Sequence, residues 1–207
     1  MIPGGPGCVT WLPTPLDGDE KEAIMLAVEI FHDEADCPND NYGWKLYSFS
    51  PRHASFKGLD SFSYRVQDKI DKGEAHWLSF YQHGDCWWGL AGSKAPAGVE
   101  FTWDGVRIAG VLVWEEDEAA PGPHSAEAFL NEYTNWVNGE SYGFVILDED
   151  GETVDSCGGL IGGEWAAQCI ADSLPPGQAF QVTGNGSHLE GMIRYRVSNP
   201  SGRVGLA

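Results

Sequence analysis

Residues 125–157, SAEAFLNEYTNWVNGESYGFVILDEDGETVDSC, carry two hydrophobic periods back to back, and that juxtaposition decides the fold class. Ala126, Phe129, Leu130, Tyr133, Trp136 and Val137 recur at helical spacing, with Ser125 placed as N-cap and Asn138-Gly139 as the stop. From Tyr142 to Leu147 and from Glu152 to Cys157 the pattern becomes two strands joined by the turn Asp148-Glu149-Asp150-Gly151. A helix feeding a hairpin predicts an α+β fold, mainly an antiparallel sheet with two or three helices.

Working upstream, Val106 to Trp114 is the clearest buried strand, and it runs into Glu115-Glu116-Asp117-Glu118. An aromatic hairpin, His76–Gln82 and Cys86–Leu90, turns at His83-Gly84-Asp85. Phe62, Val66 and Ile70 predict a helix from Ser61 to Lys72, stopped by Gly73. Ile24 to Phe31 reads as the first buried strand, with Gly43 to Phe49 as its partner. Downstream, Gly158-Gly159 and Gly162-Gly163 lead into a helix from Glu164 to Leu174, ended by Pro175-Pro176. The last thirty residues read as a hairpin turning at Gly184-Asn185-Gly186, whose second strand, Met192–Val197, sets Arg194 and Arg196 on one face. The domain reading is a flexible acidic arm over 1–22 and a single α+β domain over 23–207, with a peripheral hairpin at 178–207.

The chain has 207 residues, 31 Asp plus Glu against 12 Lys plus Arg, and a formal charge of −19. Such a surface repels nucleic acid and anionic membranes and attracts basic partners. With 42% hydrophobic residues and nine Trp, the charge sits on a folded body. Five Cys without a Cys-x-x-Cys pair read as reduced thiols of a cytoplasm. The N-terminus lacks the basic and apolar regions of a signal peptide, and the apolar stretch Ile24–Phe31, interrupted by Glu29, is too short to span a bilayer. The expected location is a host cytoplasm.

No motif in the chain carries a reaction. His32, Asp33, Glu34, Asp36 and Cys37 gather metal-capable side chains, yet zinc needs two separated ligand pairs and calcium needs alternating oxygens with a Gly at the turn. A solvated acidic loop is the reading. His83, Asp85 and Cys86 suggest a nucleophilic thiol, but neighbouring Asp85 and two Trp give no electropositive setting. Asp148–Glu152 imitates the opening of a calcium loop, whose terminal Glu would fall at Gly159, so it reads as a turn. The Gly158–Gly163 run precedes a helix without the Lys-Ser/Thr of a phosphate loop, and reads as close backbone packing. The expectation is a protein without catalytic residues, cofactor or metal.

Residues 133–162, with Asn138-Gly139, Tyr142-Gly143-Phe144, Asp148-Glu149-Asp150-Gly151-Glu152, Asp155-Ser156-Cys157 and Gly162, resemble a block in small acidic accessory proteins of actinobacterial phages and plasmids. Those proteins tend to have an aromatic after the Ser-Cys pair, where this chain has Gly158. The resemblance implies an accessory protein of a mobile element and carries no catalytic residue across.

The leading functional reading is an acidic, non-enzymatic protein that binds a basic host protein, one that handles nucleic acid in defence. Carboxylates spaced along strands and a helix meet the Lys and Arg that otherwise hold phosphates. The predicted partner-binding residues are Asp33, Glu34 and Asp36, then Glu115, Glu116, Asp117 and Glu118, then Asp148, Glu149, Asp150 and Glu152. The arm residues Asp17, Asp19 and Glu20 form a further acidic cluster. One alternative is a metal-dependent enzyme, which requires His32, His83 and Cys86 to converge. The other is an assembly component associating through sheet edges, with an exposed patch drawn from Trp77, Trp87, Trp88 and Trp103.

Overall fold

The computed structural model describes residues 25–41, 43–53, 55–58, 65–97, 104–116, 121–122 and 125–200. The expected arm at 1–22, the start of the 61–72 helix, Trp103, Asp117, Glu118 and Arg203 lie outside the described residues. The fold is α+β, with two four-stranded sheets. Where the sequence reading draws one domain over 23–207, backbone contacts sort the chain into two compact units. Unit 1 comprises 1–35 and 141–207, and unit 2 comprises 36–140.

Unit 1 contains β1 (Met25–His32), β6 (Ser141–Leu147), β7 (Thr153–Ile161) and β8 (Ala179–Thr183). Its sheet has the order β7-β6-β1-β8, antiparallel except for the parallel β1–β8 pair. Strand alternation points Leu26, Val28 and Ile30 of β1, with Tyr142, Phe144 and Ile146 of β6, to one face. That face packs against Ala166, Ala167 and Ile170 of α4 (Gly163–Ser173) and Ile193 of α5 (Glu190–Ser198). Among the described residues no helix of unit 1 lies over the opposite face, where Met25, Glu29 and Phe31 are exposed.

Unit 2 contains α1 (Pro38–Asn41), β2 (Trp44–Ser48), α2 (Arg65–Asp71), β3 (Ala75–His83), β4 (Asp85–Leu90), β5 (Gly105–Trp114) and α3 (Ser125–Val137). Its sheet, β2-β5-β3-β4, is antiparallel throughout, with helix residues packed on each face, while Val106 and Ile108 near the start of β5 stay exposed. Trp44, Leu46, Leu78, Trp88 and Leu112 meet Phe129, Leu130 and Tyr133 of α3. Ala75, Val111, Val113 and Trp77 meet Val66 and Ile70 of α2. The sequence pattern alone anticipated α3, which closes with Gly139 at φ 76° and a hydrogen bond from Glu140 N to Asn135 O, a Schellman ending. Ser125 opens this helix, and its hydroxyl accepts the Trp44 indole N–H at 3.0 Å.

Two expectations are corrected. β1 does not pair with the 43–49 strand: its partners are β6 and β8, while β2 pairs with β5 in the other sheet. The chain crosses from unit 1 to unit 2 at residue 36, so the 32–40 loop is a connection between units and no hairpin forms there. The C-terminal hairpin is replaced by β8, a 3-10 turn (Ser187–Leu189) and α5. Leu189, Ile193 and Val197 recur every four residues, a helical period that buries Leu189 and Ile193 in unit 1's core. Residues two apart on a helix point in different directions, so the two Arg separate. Arg194 bonds Glu190 and the Phe180 carbonyl, and Arg196 bonds Gln168 of α4.

Candidate functional site

The predicted acidic residues fall into three different structural situations. Asp33 follows β1 and is half-buried. One of its oxygens accepts the Glu34 N–H at 2.9 Å and the other accepts the Gly159 N–H at 2.8 Å. Gly159 has φ 68° and sits where the β6–β7 register shifts between Tyr142 and Phe144. Asp33 therefore holds a β-bulge in place, and a Cβ on Gly158 would collide with its carboxylate. That contact accounts for the close packing expected of the glycine run.

At the far end of β1, about 25 Å away at ~3.3 Å per residue, the turn 148–152 reaches the strand's start. Asp148 Oδ1 accepts the N–H groups of Asp150 and Glu152 at 3.0 and 2.9 Å, and Glu149 Oε1 accepts the Met25 N–H at 3.0 Å. The carboxylate that opens the imitation calcium loop is thus occupied by its own backbone. Asp150 and Glu152 are exposed, as are Glu34 and Asp36. In unit 2, Glu115 Oε1 accepts the Tyr47 hydroxyl at 2.5 Å, and Glu116 is exposed with its stem over Gly43. Within unit 1, Asp33–Glu34 and Asp148–Glu152 stand at opposite ends of one strand.

Charge is unevenly divided. Unit 1 has fifteen acidic and four basic residues, whereas unit 2 has sixteen and eight. Among the described residues, unit 1's basic side chains are Arg194 and Arg196. Both are engaged internally: Arg194 with Glu190 at 2.7 Å and over the Phe180 ring, Arg196 with Gln168 at 2.7 Å and Glu164 at 3.7 Å. All four lie on the helical side of the sheet. The outer face, by contrast, carries Met25, Ala27, Phe31, Val145 and Leu147 around the exposed Glu29. The Phe31 ring covers Gly143, which leaves no room for a Cβ there. Sequence reasoning missed Glu29 as a site residue. The signal was the alternation of Leu26, Val28 and Ile30 with Ala27, Glu29 and Phe31, which marks a one-sided strand.

The residues of the enzyme alternative have other occupations. His32 stacks on Tyr142 with centroids 5.3 Å apart, and the Tyr142 hydroxyl lies 3.3 Å from His188 Nε2. His83 Nδ1 pairs with Asp104 at 3.0 Å on an open surface. Burial pushes the Cys86 thiol up, as does neighbouring Asp85, and burial likewise raises Cys37, so neither is a preformed thiolate. None of the four described cysteines is in a disulfide, and no group of three or more His, Cys, Asp or Glu among the described residues could hold a metal ion. A cavity of about 200 Å³ between α4 and α5, bordered by Asp172, Tyr195 and Arg196, is smaller than sites for small organic ligands.

The edges of unit 2's sheet are closed by side chains. At β2, Asn39 accepts the Leu46 N–H at 2.9 Å and donates to its carbonyl at 3.0 Å. At β4, Asn138 does the same for Cys86 at 2.7 and 2.9 Å, and Thr134 accepts the Trp88 N–H at 3.1 Å. Each Asn amide imitates the next strand and blunts the edge. Trp88 is 2% exposed and Trp77 packs toward α2, so both contribute to unit 2's clusters, while the half-buried Trp87 lies over Gly89. No helix among the described residues is long and apolar enough to cross a membrane. The chain matches no protein-family model, no curated protein and no solved structure.

Proposed function

We propose that this is an acidic interaction protein that binds a basic, nucleic-acid-handling protein. The supporting observation is the charge of unit 1, fifteen acidic residues against four basic, with both described cations already held by internal partners. A basic partner meets carboxylates there that no Lys or Arg of the described unit neutralises. Glu34, Asp150 and Glu152 are free of the backbone duties that occupy Asp33, Asp148 and Glu149, and are the first residues to test. The resemblance of residues 133–162 supplies the setting: an accessory protein of a phage or plasmid acting in the host cytoplasm.

The test is capture of host proteins on the immobilised chain at low and high salt, with identification of what is retained. The expected result is a nucleic-acid-binding protein held at low salt, released at high salt and competed by DNA. Loss of that protein with Glu34, Asp150 and Glu152 changed to Gln supports the reading. Retention that ignores both salt and these changes rejects it.

A further inference from the structure

We propose that the outer face of unit 1's sheet is a docking surface for an amphipathic, Lys- or Arg-bearing helix of a partner protein. The inference rests on the basic-partner reading and gives it a location.

Among the described residues, unit 1's sheet lacks a layer on one face. A sheet buries its apolar faces against further layers, and helices are the layer this molecule uses. Unit 2's sheet has α2 on one face and α3 on the other. Among the described residues, unit 1's sheet has α4 and α5 on one face and no helix on the other. Its other face presents Met25 at 53% exposure and Phe31 at 36%, with Ala27, Val145 and Leu147 half-buried between them. In unit 2, Val111 and Val113 of β5 are 0% and 7% exposed in the cluster that includes α2, although Val106 and Ile108 of the same strand are exposed.

Charge selects the occupant. Glu29 stands in the middle of the outer face, with Val145 beside it on β6 and Thr183 on β8. Neither described Arg of unit 1 is on that face, since both belong to α5 and its contacts. A covering element must therefore bring its own cation to Glu29 or bury an unpaired carboxylate. A second copy of this chain would set Glu29 near Glu29 across a two-fold axis, between two molecules of formal charge −19. A basic amphipathic helix satisfies both the apolar rows and the carboxylate.

The sheet's edges are the less suitable route. β7 shifts register against β6 at two places, and the Ser156 N–H is taken by the Asp155 carboxylate at 2.8 Å. Bulges and side-chain capping are how edges are kept from adding strands. On β8 the Phe180 carbonyl is taken by Arg194 at 3.2 Å. The face has no such protection.

The experiment titrates the isotope-labelled full chain with a synthetic peptide of Leu and Lys at helical spacing, followed by amide shifts. A Leu/Glu peptide of the same pattern is the control. We expect saturable binding of the Leu/Lys peptide, with shifts concentrated in 25–31, 145–147 and 179–183, and no binding of the control. Glu29→Lys should weaken binding about tenfold or more, while Glu164→Lys, on the exposed side of α4, should leave it within about twofold. Circular dichroism confirms that each variant is folded. Wild-type affinity in Glu29→Lys, or shifts confined to 148–152, overturns the docking face while leaving the basic-partner reading intact. Equal binding of the Leu/Glu peptide overturns both. Self-association without peptide, with shifts on the same face, assigns the face to a second copy and also overturns the proposal.

Discussion

Unit 2 and unit 1 are built from the same parts, a four-stranded sheet with helices, and differ in how much of the sheet is left open. Unit 2 packs helix residues on both faces, leaving the start of β5 exposed, and caps both edges with asparagine amides. Among the described residues unit 1 has helices on one face, and its charge is the more one-sided of the two. Saturating a sheet's faces and edges removes its means of association. Among the described residues unit 2 thus leaves less of its sheet open, and unit 1's outer face is the surface proposed above for a partner.

The largest effect should come from unit 1's own core. Phe144→Ala empties a fully buried position in unit 1, at 0% exposure, and should cost about 3–5 kcal/mol in urea denaturation. A loss below about 1 kcal/mol would mean that unit 1's inner face is loosely packed, and the contrast between its two faces would disappear.

Next are the edge locks of unit 2. Asn138→Ala and Asn39→Ala each strip a donor and an acceptor from an edge strand and should each cost about 1–3 kcal/mol. The two sites share no bonding partner, so the double variant should be additive to within about 0.5 kcal/mol. Self-association of either variant, read by light scattering, would tie edge closure to solubility. Unchanged stability in both would break the contrast between units.

A smaller effect is expected from acid. Burial lowers the affinity of His53 and His76 for a proton; at His76 the nearby Glu127 offsets part of this. His53 Nδ1 accepts the Ser55 N–H at 3.2 Å, and its ring packs against Trp88 and Tyr133. The unfolded chain protonates near the ordinary value, about 6.5, while the folded unit resists. Stability is therefore full above that pH and declines as pH falls towards the lower folded values. The urea midpoint of unit 2's fluorescence should drop between about pH 7.5 and about pH 5.5, and a flat midpoint would discard the role given to His53.

The smallest effect lies at alkaline pH. Burial pushes the Tyr133 phenol up to about 12, and Tyr47 is raised by burial and by its bond to Glu115. Because the folded state holds these protons longer, their contribution is present below about pH 10 and falls as pH rises through the folded values. In a spectrophotometric titration, two phenols of the native protein should ionise late. Glu115→Gln should bring Tyr47 earlier and leave Tyr133 in place.

The elements were unevenly legible. Helix α3 and the β6–β7 hairpin could be read from residues 125–157 because each period is sustained and each ends in a turn residue suited to it. Helix α5 was misread because Arg194 and Arg196 alternate like strand residues, while its apolar residues, Leu189, Ile193 and Val197, keep the helical period. The acidic residues were all visible in the sequence, yet nothing in it told Asp33, which locks a bulge, from Glu34 beside it, which is exposed.

The α+β class, the charge of −19, the turn at Asp148–Gly151 and the terminus of α3 follow from the residues in order, because periodicity, composition and backbone preference are local properties. That β1 pairs with β6 and β8, that two units form, and that Asn39 and Asn138 cap one sheet while Glu29 stays exposed on the other came from packing at long range. Pairing between strands far apart in the chain, and the covering of one face in preference to another, depend on which surfaces fit once the elements exist. No local pattern carries that information.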